Sequence, residues 1–117
     1  MSDDMVIFTR CFDLMVWLVP KLQRFPTAYR TTLSQRMGDA LLDYQEALHD
    51  ANAHPRQRLT YLQSADAHLS KLRFYLRLIH RMEWINNGQY EHVSRMVEEN
   101  GRLLGGWIKQ TRAKGRG

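Results

Sequence analysis

QYEHVSRMVEENGRLLGGWIK, Gln89 to Lys109, is the stretch whose reading decides the fold. Val93, Val97, Leu104 and Trp107 recur at helical spacing, and Asn100 fills the one turn without an apolar residue. Arg95, Arg102 and Lys109 repeat every seven residues. That period drifts by only about 20° per heptad on a straight helix, so the three cations share a stripe facing away from the apolar seam. Gly105-Gly106 sits inside the same segment, where alanine would favour the helix by about 1 kcal/mol per site. The pair predicts a close backbone contact, and the whole stretch predicts a long amphipathic helix with a basic back.

Working outward, three more segments carry apolar residues three and four apart. Phe8, Cys11, Met15, Leu18, Leu22 and Phe25 define a first helix. Leu33, Met37, Ala40, Tyr44, Ala47 and Ala51 define a second, and Leu62, Ala65, Leu69, Leu72, Leu76 and Ile79 a third. Phe25-Pro26 reads as the stop of the first helix, with Pro20 disturbing its last turns. Thr32 and Gln35 read as a capping box for the second helix. Gly38 within that helix reads as a point of close helix packing. Pro55 suits the first turn of the third, and Asn86-Asn87-Gly88 turns the chain into the fourth. Short connections between amphipathic helices predict an all-α fold, an antiparallel up-down-up-down four-helix bundle. Residues 1–110 form that bundle, and Thr111 to Gly117, TRAKGRG, read as a basic, disordered tail.

The chain is 117 residues long, enough for one domain with one core, and its formal charge is +5. Thirteen of its seventeen cationic side chains are Arg, a bias towards planar contacts with phosphates and carboxylates. Residues 1–54 carry a net −2 and residues 55–117 a net +7. A basic second half predicts an anionic partner, nucleic acid first and an acidic protein surface second. Cys11 is the one cysteine, so no internal disulfide forms; it reads as a core residue in a reducing, cytoplasmic protein. The longest apolar run, Leu14 to Pro20, is far short of the roughly 18 residues a membrane span needs. Asp3 and Asp4 stand where a signal peptide would be basic.

Two helices look apolar on a second face. Val16 and Trp17 lie roughly 130° from the first seam, at about 100° per residue. Phe74 and Leu78 point nearly opposite the third. Water would cover these side chains on a lone bundle, which predicts an oligomer with Val16, Trp17, Phe74 and Leu78 in its interface.

Arg73, Arg77 and Arg81 follow one another four apart, beside Lys71, with only Asp66 and Glu83 as acids nearby. They form the leading candidate for phosphate contacts. Arg95, Arg102, Lys109 and Arg112 are further candidates, but Glu91 and Glu98 stand four before Arg95 and Arg102 and can hold those two by ordinary helix pairing. Glu46-Ala-Leu-His49 has the Glu-x-x-His spacing of di-iron bundles, which need a second such motif; none occurs, so no metal or cofactor is expected. An alternative is RNA cleavage. Small helical nucleases of the HEPN class carry an Arg and a His on one helix, and Arg73 with His80 have comparable spacing, although Phe74 stands where a polar residue is usual. His80 would act as general acid or base and Arg73 would stabilise the phosphorane.

DLMVWLVPKLQRFP (Asp13–Pro26), LSKLRFYLRLIHRM (Leu69–Met82) and the opening stretch, taken together, resemble the accessory variability determinant (Avd) proteins of diversity-generating retroelements. The ribosomal intervening-sequence proteins are related to these. The resemblance spans about residues 12–110. Trp17–Lys21 with its Trp-Leu-x-Pro-Lys run, Phe25-Pro26, and the LGGW of Leu104–Trp107 are its most specific elements. Thr31 and Ser34 depart from the Phe and Gly of that family. The resemblance implies a barrel-shaped homo-oligomer, a pentamer, of four-helix protomers that binds nucleic acid. It also implies partnership with a reverse transcriptase that copies template RNA into adenine-mutagenised cDNA, with no catalytic centre in the accessory chain itself.

Overall fold

The computed structural model describes residues 3–115, with side chains from residue 6 onward. Helix α1 runs Asp3–Leu22, α2 Gln35–Ala53, α3 Arg58–Arg81 and α4 Asn87–Gly115, and no strand occurs among the described residues. Ring contacts fix the directions. Phe8 meets Trp107 and Trp17 meets His92, so α1 and α4 are antiparallel. His54 against Tyr61 and His80 against Tyr90 give the same relation for α2 with α3 and for α3 with α4. The result is an all-α up-down-up-down bundle.

The seams of α3 and α4, and that of α2 from Met37 to Ala51, are those the periodicity predicts, widened by Leu41, Leu48 and Leu103, whereas Leu33 lies before α2 and is only partly buried. Helix α1 differs. Its buried residues are Ile7, Cys11, Leu14 and Leu18, while Phe8, Met15 and Leu22 are only partly buried. The helix is turned by about 50° from the expected seam, half a residue step at 100° per residue. That rotation carries Val16 fully outward and brings Trp17 round to the flank facing α4.

One polar group is built into the core. Asn100 is fully buried, accepts a 2.7 Å hydrogen bond from the Tyr44 hydroxyl, and donates to the Met96 carbonyl at 2.9 Å and the Arg10 carbonyl at 3.3 Å. With its partners supplied by α1, α2 and its own helix, the amide does not suffer the 1–3 kcal/mol or so of an orphaned buried group. The surrounding leucines contribute about 1.5–3 kcal/mol each by burial, an upper figure given that the unfolded chain is not fully extended.

The ends of the helices depart from expectation in several places. Helix α1 closes at Leu22, two residues past Pro20, and Phe25-Pro26 leads instead into a 3-10 turn at Thr27–Tyr29. A π-helical turn, Arg30–Ser34, then runs directly into α2. Ser34, in the N-cap position, has helical dihedrals and makes no cap, and the Thr32 hydroxyl bonds back to the Tyr29 carbonyl. The Thr32–Gln35 capping box is therefore not formed. A reciprocal box does exist at α4: Asn86 Oδ1 accepts from the Gln89 amide and Gln89 Oε1 from the Asn86 amide, both at 2.8 Å. Pro55 opens a 3-10 turn that passes into α3 at Arg58. Helix α4 continues through Gly115, so Thr111–Gly115, expected as disordered tail, are helical; Arg116 and Gly117 lie outside the described residues.

The glycines are also redistributed. A methyl group at Gly105 or Gly106 would meet nothing within 4 Å, and both are exposed, so the expected close contact does not occur inside the protomer. At Gly38 a methyl would make an ordinary 3.5 Å contact with Leu22, so close packing is not required there either. Close approach belongs to Gly101, against which the Arg73 guanidinium lies.

Candidate nucleic-acid interface

The α3–α4 connection builds a site from local rules. Helix α3 ends in a Schellman turn, with Trp84 N–H bonded to the Ile79 carbonyl and Glu83 N–H to the His80 carbonyl. Glu83 takes the left-handed position at φ 63°, one that glycine usually fills. Trp84 then packs on Phe25 and Tyr29 at 5.2 and 5.1 Å, tying this turn to the α1–α2 connection. The turn leaves an open groove lined by Phe74, Leu78 and Ile85 together with Arg77, Arg81 and Glu83.

Arg77 and Arg81 are exposed, and neither forms a salt bridge among the described residues. Between them and α4, the His80 ring stacks on Tyr90, 4.1 Å apart and 5° from parallel, and His80 Nε2 pairs with Asn87 Oδ1 at 2.7 Å. Paired guanidiniums beside fixed aromatic rings suit a phosphodiester strand: the cations meet phosphate oxygens and ring faces can receive bases.

The other predicted cations are scattered. Lys71 lies on the far side of α3, in a groove it shares with Asp39 and Asp43 of α2, and so leaves the strip. Arg73 is turned onto Gly101 and is not among the residues that line the groove of His80. Arg95 is paired to Glu91 at 2.5 Å. Arg102 is held in a two-point contact at 2.7 and 3.1 Å by Glu99, three residues before it, and that bonding keeps the Glu99 carboxyl below its usual range. Lys109 is exposed on α4, and Arg112 lies at the other end of the bundle, near Arg56 and Lys114. His49 is engaged by Gln45 and by the Phe8 ring edge, and no cluster of three or more metal-ligating side chains occurs among the described residues.

Of the predicted interface residues, Phe74 is 65% exposed, Val16 59% and Leu78 38%. Trp17 is half-buried between the His92 ring and the Lys21 ammonium, which sits 3.9 Å above it. The structure adds Phe12, 66% exposed, with Val19 beside it and Leu42 on α2. Phe12, Val16 and Val19 have i, i+4, i+7 spacing, a signal present in the sequence but masked by the apolar character of α1 on every side. Because α1 and α3 lie diagonally across the bundle, the two exposed apolar patches face in opposite directions. No helix among the described residues is long and apolar enough to cross a membrane.

Bundle and groove together define a small four-helix protein with a basic, aromatic-lined turn at one end. The chain belongs to the bAvd-like family, whose profile matches residues 5–111. No curated protein matches it. A solved structure from Bacteroides thetaiotaomicron VPI-5482, of unknown function and from the S23 ribosomal protein family, superposes with a TM-score of 0.83 over 92% of this chain and 99% of that one. At 19% identity that likeness concerns the fold alone.

Proposed function

We propose that this chain is a non-enzymatic, cytoplasmic, nucleic-acid-binding accessory subunit of a diversity-generating retroelement reverse transcriptase. It supports mutagenic cDNA synthesis from a template RNA and works as a homo-oligomer, a pentamer. Membership of the bAvd-like family supports the accessory role. The observation that carries the nucleic-acid reading is the groove of Arg77 and Arg81, two guanidiniums in no salt bridge among the described residues, beside the His80–Tyr90 stack and with Glu83 in the same lining. Exposed apolar side chains at Phe12, Val16 and Val19 of α1, outside the groove, favour association of copies.

The test joins the two halves of the reading. The chain, co-expressed with the reverse transcriptase of its own element, is expected to co-purify with it and to retain labelled template RNA intact. Failure to co-purify, with RNA retained, would leave a general RNA-binding bundle. RNA cleavage that disappears in His80→Ala would replace this reading with the ribonuclease one.

A further inference from the structure

The bundle has a second basic groove, at the end away from Arg77 and Arg81. It lies between the α2–α3 connection and the last turns of α4, and Arg56, Arg112 and Lys114 open into it with no carboxylate in its lining. Arg58, in the same place, has a structural duty: its Nε donates to the Ala51 carbonyl at 2.9 Å and its guanidinium lies 5.8 Å from the Trp107 ring centre, closing the C-terminus of α2. The other three cations are exposed and form no salt bridge among the described residues. Arg112 and Lys114 offset the negative C-terminal end of α4.

The two grooves are separate. Helix α3 spans the distance between them, roughly 35 Å at 1.5 Å per residue, on a molecule 50 Å long. Asp66 lies seven residues before Arg73 and eleven before Arg77, on the same stripe of α3, between the two grooves. On α4, Glu98 is exposed along the same span, and Glu91 follows Tyr90 at the edge of the first groove. A phosphate backbone running from one groove to the other would pass these carboxylates.

We infer that the two ends hold two different single strands, and that the protein thereby speeds the annealing of complementary nucleic acids. This rests on the nucleic-acid reading of the Arg77–Arg81 groove. Strands held on one particle meet at an effective concentration in the millimolar range, far above that of dilute free strands. Cations that release their counterions on binding also reduce the mutual repulsion of the two backbones.

The test uses the full chain, short labelled single strands and their complements at low salt. Wild type is expected to bind two short strands per protomer and to raise the annealing rate on the order of tenfold or more. Arg56→Gln with Arg112→Gln, and separately Arg77→Gln with Arg81→Gln, should each bind one strand per protomer and anneal only at the lower rate that strands on neighbouring protomers support. Oligomer mass and helicity are checked in parallel, and Lys114→Glu alone provides a milder second variant with the same expected direction. One strand per protomer in wild type, or full annealing by either double variant, would overturn the inference while leaving strand binding in place. No strand bound at all would overturn the nucleic-acid reading and this inference with it.

Discussion

The Tyr44 hydroxyl donates a 2.7 Å hydrogen bond to Asn100 Oδ1, joining α2 to α4, helices diagonally opposed in the bundle, with both side chains fully buried. The pair sets register: a slip of either helix by one residue would turn one polar group into apolar packing and leave the other without a partner.

Tyr44→Phe is expected to destabilise the protein by about 1–3 kcal/mol, since it strands a lone pair of a buried amide. Asn100→Leu should cost at least as much, because the Tyr44 hydroxyl is then orphaned and the larger apolar group must be accommodated. The double variant should lose less than the sum of the two. Urea denaturation of the four proteins measures the coupling; strict additivity would mean that the hydrogen bond contributes nothing.

Burial pushes the Cys11 thiol up to about 12 from its ordinary 9.0, and burial also pushes the Tyr44 phenol upward. In the unfolded chain both groups ionise earlier, so above about pH 9 the unfolded state binds fewer protons than the folded one. Stability is therefore full below that point and falls as pH rises from about 9 towards 12, by up to about 1.4 kcal/mol per pH unit for each group. Cys11→Ala should flatten the first part of that decline. Melting temperatures of both proteins from pH 7 to 11 check it, and parallel curves would remove Cys11 as the cause.

Gly105 and Gly106 meet no neighbour within the protomer, so Gly105→Ala and Gly106→Ala should each stabilise α4 by about 1 kcal/mol through helix propensity. Gly101→Ala should not, because its methyl would displace the Arg73 guanidinium. Thermal melts of the three variants decide this. Loss of oligomer mass in the Gly105 or Gly106 variant would instead place those glycines in a contact between subunits.

Arg77→Ala with Arg81→Ala should weaken binding to unrelated RNA and DNA strands alike, and should flatten the salt dependence by roughly 0.7 in logarithmic slope per lost contact. Arg95→Ala should change binding less, since Glu91 already engages that guanidinium. A salt titration of each variant, with assembly mass followed in parallel, provides the measurement. Unchanged affinity and slope in the double variant would move the site off α3.

Element type was readable wherever burial enforces one period. Leu62 to Ile79 and Val93 to Trp107 are seams in the sequence and seams in the structure. Helix α1 was harder, because Phe12, Val16 and Val19 are as apolar as Leu14 and Leu18, and a stripe cannot be centred on a helix that is apolar all round. The capping boxes show a similar limit. Thr32–Gln35 and Asn86–Gln89 both have the right residues three apart, yet only the second forms, because Thr32 already lies within the π-helical turn that runs into α2. Arg102 had acids at both three and four residues before it, and the spacing does not say that Glu99 makes the two-point contact.

By itself the sequence determined the four amphipathic helices, the position of the polar Asn100 within an apolar seam, the excess of arginine in the second half, and the resemblance to a family. Those properties depend on spacing and composition, which belong to the chain whatever its neighbours do. The tertiary structure decided which side each charge faces. A helix advances about 100° per residue, so the rotation at which it packs sends Lys71 towards Asp39 and Asp43, Arg73 onto Gly101, and Arg77 with Arg81 into the open groove. That rotation is set by the helices on either side, and no local pattern contains it.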